Sequence, residues 1–251
     1  MRRETIRTTR CAFMLTAAAA AALLAGCAPT DIRPVGNTYT GAKLARPDVV
    51  LVRDFAVTPG EVQLDRGIGA RLVSAMGGAS ASAQEVAVAR QVVGAISTTL
   101  AAEINKLGLP AQTSGAAVGA AWEKRLVIEG QIISIDQGNR TRRTMIGLGA
   151  GHSDVEADTQ ALYEIRGTPP RLVESFEAAA KSGRKPGLAE GLGAGMALDR
   201  VATSAAVSAG AAAASEVSGA TVEDDGSRMG KEIAKKLAPF FATQGWIPQP
   251  Q

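Results

Sequence analysis

The amino-acid sequence predicts an α+β fold. We expect a two-layer sandwich with a mainly antiparallel sheet, two packing helices and an additional Gly/Ala-rich helical segment. Three observations lead to this fold class. A β-branched run at 49–57 precedes a long amphipathic helix at about 83–107. Three strand-like segments then follow one another with short links, and a second amphipathic stretch closes the chain.

The composition of the 251 residues is that of a globular protein and excludes several functional classes. Hydrophobic residues make up 46% of the chain and charged residues 20%, an ordinary balance for a folded domain. A single histidine and two cysteines exclude zinc fingers, iron–sulfur clusters and any multi-histidine metal site. The core must be built from aliphatic residues, because aromatics are only 4% of the sequence.

Residues 1–26 have the features of a secretory signal. Four arginines lie in the first ten residues, and the apolar run at 12–24 is too short to cross a bilayer comfortably. The tetrad Leu24-Ala25-Gly26-Cys27 resembles the lipobox of bacterial lipoproteins. That resemblance implies cleavage between Gly26 and Cys27, a diacylglycerol thioether on Cys27, and an amide-linked acyl chain such as palmitate. The alternatives are a plain secretory signal with an incidental cysteine, or a buried apolar helix.

Cleavage before Cys27 would leave a mature chain of 225 residues. No disulfide can form in it, because Cys11 leaves with the signal and Cys27 is blocked. It has 23 basic and 23 acidic residues, so we expect no nucleic-acid partner. Three acyl chains form an effectively permanent membrane anchor, at about 0.8 kcal/mol for each buried CH₂. In lipoproteins of this type an aspartate after the cysteine signals inner-membrane retention. The resemblance, with Ala28 in that place, implies the outer membrane, facing the periplasm.

The mature chain divides into four segments by composition. The lipidated cysteine and a proline-rich, weakly apolar stretch at 27–47 predict an extended tether. The α+β domain follows at 48–183. The Gly/Ala-rich helical insertion at 184–226 is a small-residue helix that packs on the domain, or is partly disordered, or packs against a partner or a second copy. Residues 227–251 form a C-terminal helix that completes the domain, with a kink or break predicted at Pro239.

The helix at about 83–107 has the clearest local signals. The segment Ser82-Ala83-Gln84-Glu85 matches a capping box, and Gly108 stands where a C′ glycine belongs. Between them, apolar side chains recur at spacings of three and four residues, which defines the face that packs on a sheet. These are Val86, Ala89, Val93, Ile96, Leu100, Ile104 and Leu107.

Three consecutive strands are predicted at 125–136, 153–165 and 171–180. The middle one alternates apolar and polar residues, which predicts one buried and one exposed face. The pair Pro169-Pro170 lies in the turn before the last strand. Short links between successive strands predict an antiparallel meander.

No catalytic or nucleotide-binding pattern is present in the sequence. The run Gly147-Leu148-Gly149-Ala150-Gly151 precedes a strand rather than a helix, so it is not a dinucleotide fingerprint. The segment 226–232 is one residue short of a phosphate loop, and Glu232 stands where a hydroxyl should hold magnesium. The lone His152 has no nucleophile elbow near it. We therefore predict a non-enzymatic protein with no cofactor and no metal site.

A glycine- and arginine-containing signature follows the first meander strand. Its residues are Gly138, Asn139, Arg140, Arg143, Gly147, Gly149 and Gly151. Together with Glu129-Gly130, this signature resembles a widespread family of uncharacterised bacterial lipoproteins, the domain of unknown function 4410. The resemblance brings neither an activity nor a catalytic residue. At the level of fold alone, the order of elements is similar to periplasmic domains of the curli secretion lipoprotein and to the N-terminal domain of the Tol translocation protein.

Two hypotheses concern the arginines of this signature. A hairpin that turns about Gly149 would place Arg140 opposite Asp158 and Arg142 opposite Glu156, as a cross-strand charge ladder that fixes the register. Alternatively, Arg140 and Arg142 bind an anion such as a phosphate or a lipid head group. Both hypotheses place three apolar residues at the projecting end of the hairpin. These are Met145, Ile146 and Leu148.

The sequence thus predicts a lipid-anchored envelope protein that binds or scaffolds an unidentified envelope protein. One alternative is an oligomeric pore-like or secretion-accessory lipoprotein that uses Gly-rich hairpins, so a homo-oligomer stays open. Another is an envelope hydrolase or sugar-binding enzyme, for which the sequence singles out no carboxylate pair.

Overall fold

The computed structural model describes residues 30–36, 39–65, 80–115, 122–139, 152–182 and 221–248. In this part of the chain, two helices and a seven-stranded sheet form two layers around one apolar core, which confirms the predicted α+β sandwich. The strands are β1 (Thr30–Pro34), β2 (Val49–Val52), β3 (Val62–Gln63), β4 (Ala111–Thr113), β5 (Lys124–Asp136), β6 (Asp154–Ile165) and β7 (Arg171–Lys181). The helices are α1 (Ala81–Lys106) and α2 (Val222–Gln244), and a short 3-10 helix spans Pro59–Glu61.

The sheet has the strand order β1-β7-β6-β5-β2-β4, and β3 pairs with the end of β5. The long strands β5, β6 and β7 form the predicted antiparallel meander, and β1 extends it in antiparallel fashion. The short strands β2, β3 and β4 join it in parallel pairings. The β2 strand ends at Val52, earlier than predicted, although an isolated bridge still joins Ala56 to Gln131.

One face of the meander carries the core. Every second residue of β6 is buried from Val155 to Tyr163, as the alternation predicted, whereas Ile165 is 40% exposed. Facing side chains of β5 are equally buried. These are Leu126, Ile128, Ile132 and Ile135. Because branched side chains suit a half-buried pleated surface, this face fixes both the strands and their register.

Helix α1 begins at Ala81, one residue before the predicted capping box. Ser80 is the N-cap, with an extended backbone, and its hydroxyl accepts a hydrogen bond from the Ala83 N–H at 3.4 Å. The Ser82 cap is therefore wrong, because Ser82 already lies inside the helix. At the other end Gly108 has φ +91°, which confirms its predicted role as the left-handed residue after the helix.

Helix α2 takes residues from the predicted insertion. It begins at Val222 rather than at 227, with Thr221 as N-cap in a reciprocal capping box with Asp224. The helix continues through Pro239, so the predicted break is wrong. Proline removes one backbone donor, and the carbonyl that loses it belongs to Lys235. Both residues are exposed, so water can satisfy that carbonyl.

Two glycines let the helices approach each other closely. A Cβ on Gly226 would lie 3.0 Å from the Val92 carbonyl oxygen, and a Cβ on Gly230 would lie 2.8 Å from that of Ile96. Because the opposing atoms are backbone, neither helix can accommodate a larger residue by moving a side chain. The glycines that superficially suggested a phosphate loop therefore serve helix packing.

The predicted tether is wrong for the residues that the structure describes. Thr30 to Pro34 form the edge strand β1, paired with the end of β7. The pairing continues beyond it, since the N–H of Tyr39 donates to the Val173 carbonyl at 2.9 Å. Pro34 is tolerated because an edge strand leaves one side of its backbone unpaired.

The loop between β1 and β2 packs on the end of α2. The Leu44 N–H donates to Oε1 of Gln244 at 2.7 Å, and the indole of Trp246 donates to the Leu44 carbonyl at 2.9 Å. Trp246 also stacks on Tyr163 of β6, with ring centroids 5.8 Å apart. Burial raises the pKa of Tyr163, whose hydroxyl donates to the Ala45 carbonyl at 2.8 Å.

One aspartate ties β2 to β5. The carboxylate of Asp48 accepts hydrogen bonds from the N–H groups of Lys124 and Glu123, at 2.9 and 2.8 Å. These backbone bonds, that of Lys124 first, hold the pKa of Asp48 below its usual range.

Candidate binding face of the sheet

A row of four aliphatic side chains crosses the face of the sheet that lies opposite the helices. In the register of the sheet, Leu51 pairs with Val127, Val127 with Leu162, and Leu162 with Leu172. None of the four belongs to the apolar core that the helices cover. Leu51 and Val127 are buried, with 6% and 0% of their surface exposed, whereas Leu172 at the other end is 47% exposed. We call these four residues the apolar row.

Two ion pairs flank the apolar row, one on each side. On one side Arg53 of β2 contacts Glu129 of β5, with 2.6 Å between Nη1 and Oε2. On the other side Arg125 of β5 contacts Glu164 of β6, with 2.6 Å between Nε and Oε2. The second pair is the more buried, with side chains 18% and 11% exposed. An apolar centre with a charged rim is the ordinary composition of a protein–protein contact surface.

Trp122 reinforces the buried ion pair. Its ring lies 4.0 Å from the guanidinium carbon of Arg125 and 5.2 Å from that of Arg166. A guanidinium over an indole is attracted by the negative charge density of the ring face. Trp122 therefore holds the two arginines where β5 begins and β6 ends, beside the apolar row.

A polar groove of about 380 Å³ adjoins the apolar row. Three carboxylates and two amide side chains line it, together with Arg53. They are Asp54, Glu129 and Asp158 with Gln131 and Gln160. Its floor includes Gly130, where a Cβ would lie 2.4 Å from the Phe55 ring and 2.3 Å from the Asp158 carbonyl oxygen. Gly130 is thus required for the close approach of Phe55.

A larger groove of about 610 Å³ lies between β1 and α2. Its apolar wall includes Ile32 and Phe240, and its polar wall includes Glu174 and Lys236. The Lys236 Nζ lies 4.0 Å from Oε2 of Glu174, which is 4% exposed. The groove is amphipathic, but the described contacts do not single out a ligand class.

A buried polar cluster joins the start of β6, the end of β7 and the start of α2. The Ser153 N–H donates to the Ser182 hydroxyl at 2.9 Å, and the Ser153 hydroxyl donates to Asp225. Asp225 is fully buried and forms an ion pair with Arg228, whose pKa is lowered by burial. Because Ser153, Ser182 and Asp225 are inaccessible, this cluster fastens α2 to the sheet rather than forming a reactive site.

Most of the sequence-predicted site residues lie outside the described residues. These are Gly26, Cys27, Arg140, Arg142, Arg143, Gly147, Gly149 and Gly151, together with Met145, Ile146 and Leu148. Two members of the signature are described. Gly138 has φ +66°, and its N–H donates to Oδ1 of Asp136 at 2.7 Å, so it turns the chain at the end of β5. Asn139 follows it.

The predicted charge ladder is wrong. Asp158 lies opposite Gln131, Glu156 lies opposite Ser134, and Asp154 lies opposite Asp136. The positions that the ladder would have given to Arg140 and Arg142 are thus taken by Gln131 and Ser134 of β5, while the two arginines themselves lie outside the described residues. The prediction assumed a tight turn about Gly149, whereas burial of the isoleucines of β5 sets a register that ends the strand at Asp136.

The described residues also bear on membrane crossing and metal binding. Neither described helix combines the length and hydropathy that a bilayer-spanning helix needs. Within the described ranges, no group of three or more His, Cys, Asp and Glu side chains is arranged to hold a metal ion.

Sequence reasoning missed the apolar row and the two ion pairs. Val127, Leu162 and Leu172 each alternate with core residues, so the signal was present in the strands themselves. However, both faces of β5 contain aliphatic residues, and only the register between strands places these three in one line with Leu51.

The fold and this face define an α+β sandwich whose sheet is covered by helices on one face. Residues 50–198 match the family described as "Domain of unknown function (DUF4410)", and the chain belongs to this family. The comparison with curated proteins finds no match. Among solved structures, the chain is similar to a point-substituted PelC dodecamer from Paraburkholderia phytofirmans. The identity is 13% and the TM-score 0.30, over 62% of this chain and 82% of that chain.

Proposed function

We propose that this protein is a non-enzymatic lipoprotein of the bacterial envelope that binds or scaffolds a protein partner. In this proposal a lipidated Cys27 anchors it to the outer membrane, and the domain faces the periplasm. The observation that carries the binding role is the accessible end of the apolar row, where Leu162 is partly exposed and Leu172 is 47% exposed, with the two ion pairs beside the row.

The composition of this face favours a protein partner. Leu172 is 47% exposed, and it continues a line of aliphatic side chains that is fully buried at Val127. A partner that covers Leu172 would gain about 25 cal/mol for each Å² of apolar surface removed from water. The ion pairs on both sides would set the orientation of the partner more than its affinity.

The membrane anchor is tested by changing each cysteine in turn. Cys27→Ser should leave an uncleaved precursor without lipid, because a hydroxyl cannot replace the thiolate in lipid transfer. Cys11→Ser is the matched control and should be processed normally, since Cys11 lies within the signal. The readouts are incorporation of labelled palmitate and partitioning into detergent. Normal processing of Cys27→Ser would refute the anchor.

The binding face is tested with a photo-cross-linking amino acid in native envelopes. At Leu172 it should capture a partner, whereas at Lys231, exposed on the helical layer, it should not. Leu172→Asp should abolish co-purification of that partner, while Pro170→Asp, an exposed position two residues away, should not. Equal capture at both positions, or none at Leu172, contradicts the proposal.

The alternative function is an oligomeric pore-like or secretion-accessory lipoprotein that uses Gly-rich hairpins. It depends on Met145, Ile146 and Leu148, which lie outside the described residues. Mass measurement of the detergent-extracted protein distinguishes the two. A closed ring of copies, with cross-links from Leu172 only to another copy, would replace the scaffold proposal with this alternative.

A further inference from the structure

We propose that the end of the sheet at which β1 begins rests on the membrane surface, so that the domain is held against the bilayer and not at a distance from it. The surface consists of the start of β1, the end of β7 and the start of β6. This inference rests on the proposed lipidation of Cys27, and it names the lipid surface as the partner of that end of the domain.

The length of the connector carries the argument. Thr30, the first residue of β1, follows Cys27 by three residues. Even when fully extended, three residues span at most about 11 Å. The tether predicted from the sequence, twenty residues from Cys27 to Pro47, would have reached about 70 Å at the same extension. The interfacial layer of a leaflet is about 5–7 Å thick, so Thr30 lies close to the head groups.

The start of β1 is fixed to the rest of the sheet. Thr30 pairs with Ala180, and the ladder continues to the pair of Pro34 with Phe176. The backbone N–H of Val35 then donates to the Ser175 carbonyl at 3.2 Å. Moving the domain away from the membrane would require β1 to detach, and each of these bonds to be lost.

The register identifies what else lies at this end. Lys181, the residue after Ala180, is opposite Asp154, the first residue of β6, and their side chains form an ion pair at 3.1 Å. His152 precedes β6 and is exposed. The described charges here largely cancel in pairs, since Arg33 contacts Asp31 at 2.9 Å and Lys181 contacts Asp154, which leaves Asp136 as a further acid. The short connector, rather than charge attraction, therefore holds this end at the bilayer.

The opposite end of the sheet points away from the membrane. Strand β6 has 12 residues from Asp154 to Ile165 and is therefore about 37 Å long. Thr168, in the turn between β6 and β7, lies beyond its far end. The start of β6 and the turn between β6 and β7 thus differ in their distance from the anchor by most of the length of β6.

Fluorescence quenching by labelled lipids tests the orientation in the complete lipidated protein. Cys27 is blocked in it, so a single introduced cysteine carries the fluorophore. The vesicles contain phosphatidylethanolamine, phosphatidylglycerol and a lipid with a spin label at the head group. Lys181→Cys should be quenched severalfold more than Thr168→Cys. His152→Cys is a second probe at the same end and leaves the ion pair of Lys181 with Asp154 intact.

A longer connector provides the matched control. An insertion of fifteen Gly/Ser residues between Pro29 and Thr30 adds a flexible span of about 20 Å. Quenching at Lys181→Cys should then fall towards that at Thr168→Cys. Equal quenching at the two positions in the original protein would overturn the inference, as would quenching at Lys181→Cys that the insertion leaves unchanged. A protein that does not associate with the vesicles at all would instead refute the lipid anchor itself.

Discussion

Replacing Gly230 by alanine tests the contact between α1 and α2. The added Cβ would lie 2.8 Å from the Ile96 carbonyl oxygen and 3.1 Å from the Leu100 nitrogen. Both opposing atoms are backbone, so the helices must move apart. A gap of roughly 0.5–1 Å forfeits a quarter to a half of the dispersion attraction of the atoms that line it. Overpacking of this kind costs about 1–3 kcal/mol.

Helix propensity works in the opposite direction. Alanine is favoured over glycine inside a helix by about 1 kcal/mol. We therefore expect a net loss of up to about 2 kcal/mol for Gly230→Ala. For a chain of this size, such a loss lowers the melting temperature by up to about 8 °C. Urea unfolding followed by circular dichroism gives the free energy of unfolding, and an unchanged m-value shows that the native state is the one affected.

Gly94 in α1 provides the matched control. It is exposed, and a Cβ there would meet no atom within 4 Å. Gly94→Ala should therefore raise the free energy of unfolding by about 0.5–1 kcal/mol through propensity alone. If Gly230→Ala stabilises the protein as much as Gly94→Ala does, the close approach of the two helices is refuted.

Three further changes test individual side chains by urea unfolding. Thr159→Val should stabilise the protein by up to about 1 kcal/mol, because the buried Thr159 hydroxyl has no hydrogen-bond partner among the described residues; any loss of stability would contradict this. Asp48→Asn should destabilise the protein at pH 7. Because the pKa of Asp48 is lowered, its carboxylate contributes fully to stability above about pH 4. This contribution to stability is lost as the pH falls through the lowered pKa. Asp225→Asn should lower the free energy of unfolding by about 3 kcal/mol or more, because it removes the buried charge partner of the half-buried Arg228. Ser153→Ala removes only the hydrogen bond to Asp225 and should lower it by about 1.5–3 kcal/mol. Equal losses of stability on Asp225→Asn and Ser153→Ala would refute the expectation that the ion pair stabilises the protein more than the hydrogen bond does.

The elements with strong periodicity could be predicted from the sequence. Helix α1 and strands β5, β6 and β7 differ from the predicted ranges by two residues at most, because each buries a regular face against the core. The edge strand β1 could not be predicted in the same way. Only Ile32 of its five residues is strongly apolar, and Pro34, with Pro29 and Pro47 nearby, suggested a linker.

Contacts between residues distant in sequence were beyond the reach of sequence patterns. The β5–β6 register depends on which aliphatic residues meet in the core, and the assumption of a tight turn displaced it by eight or nine positions. The hydrogen bond of Ser153 with Asp225 spans 72 positions. The packing of Gly226 and Gly230 against α1 likewise depends on tertiary structure, although glycines four residues apart on one helix indicate a close approach.

The position of the apolar row agrees with a role in partner binding when the anchor end rests on the bilayer. Leu162 lies eight residues along β6 from Asp154, which is about 27 Å from the anchor end. That distance exceeds both the thickness of the head-group layer and the Debye length of about 8 Å at physiological ionic strength. In that proposed arrangement the membrane would neither cover the row nor impose its surface charge on the flanking ion pairs. Under the proposed anchoring, a partner at this height would meet the exposed end of the row in the periplasm, beyond the head-group layer.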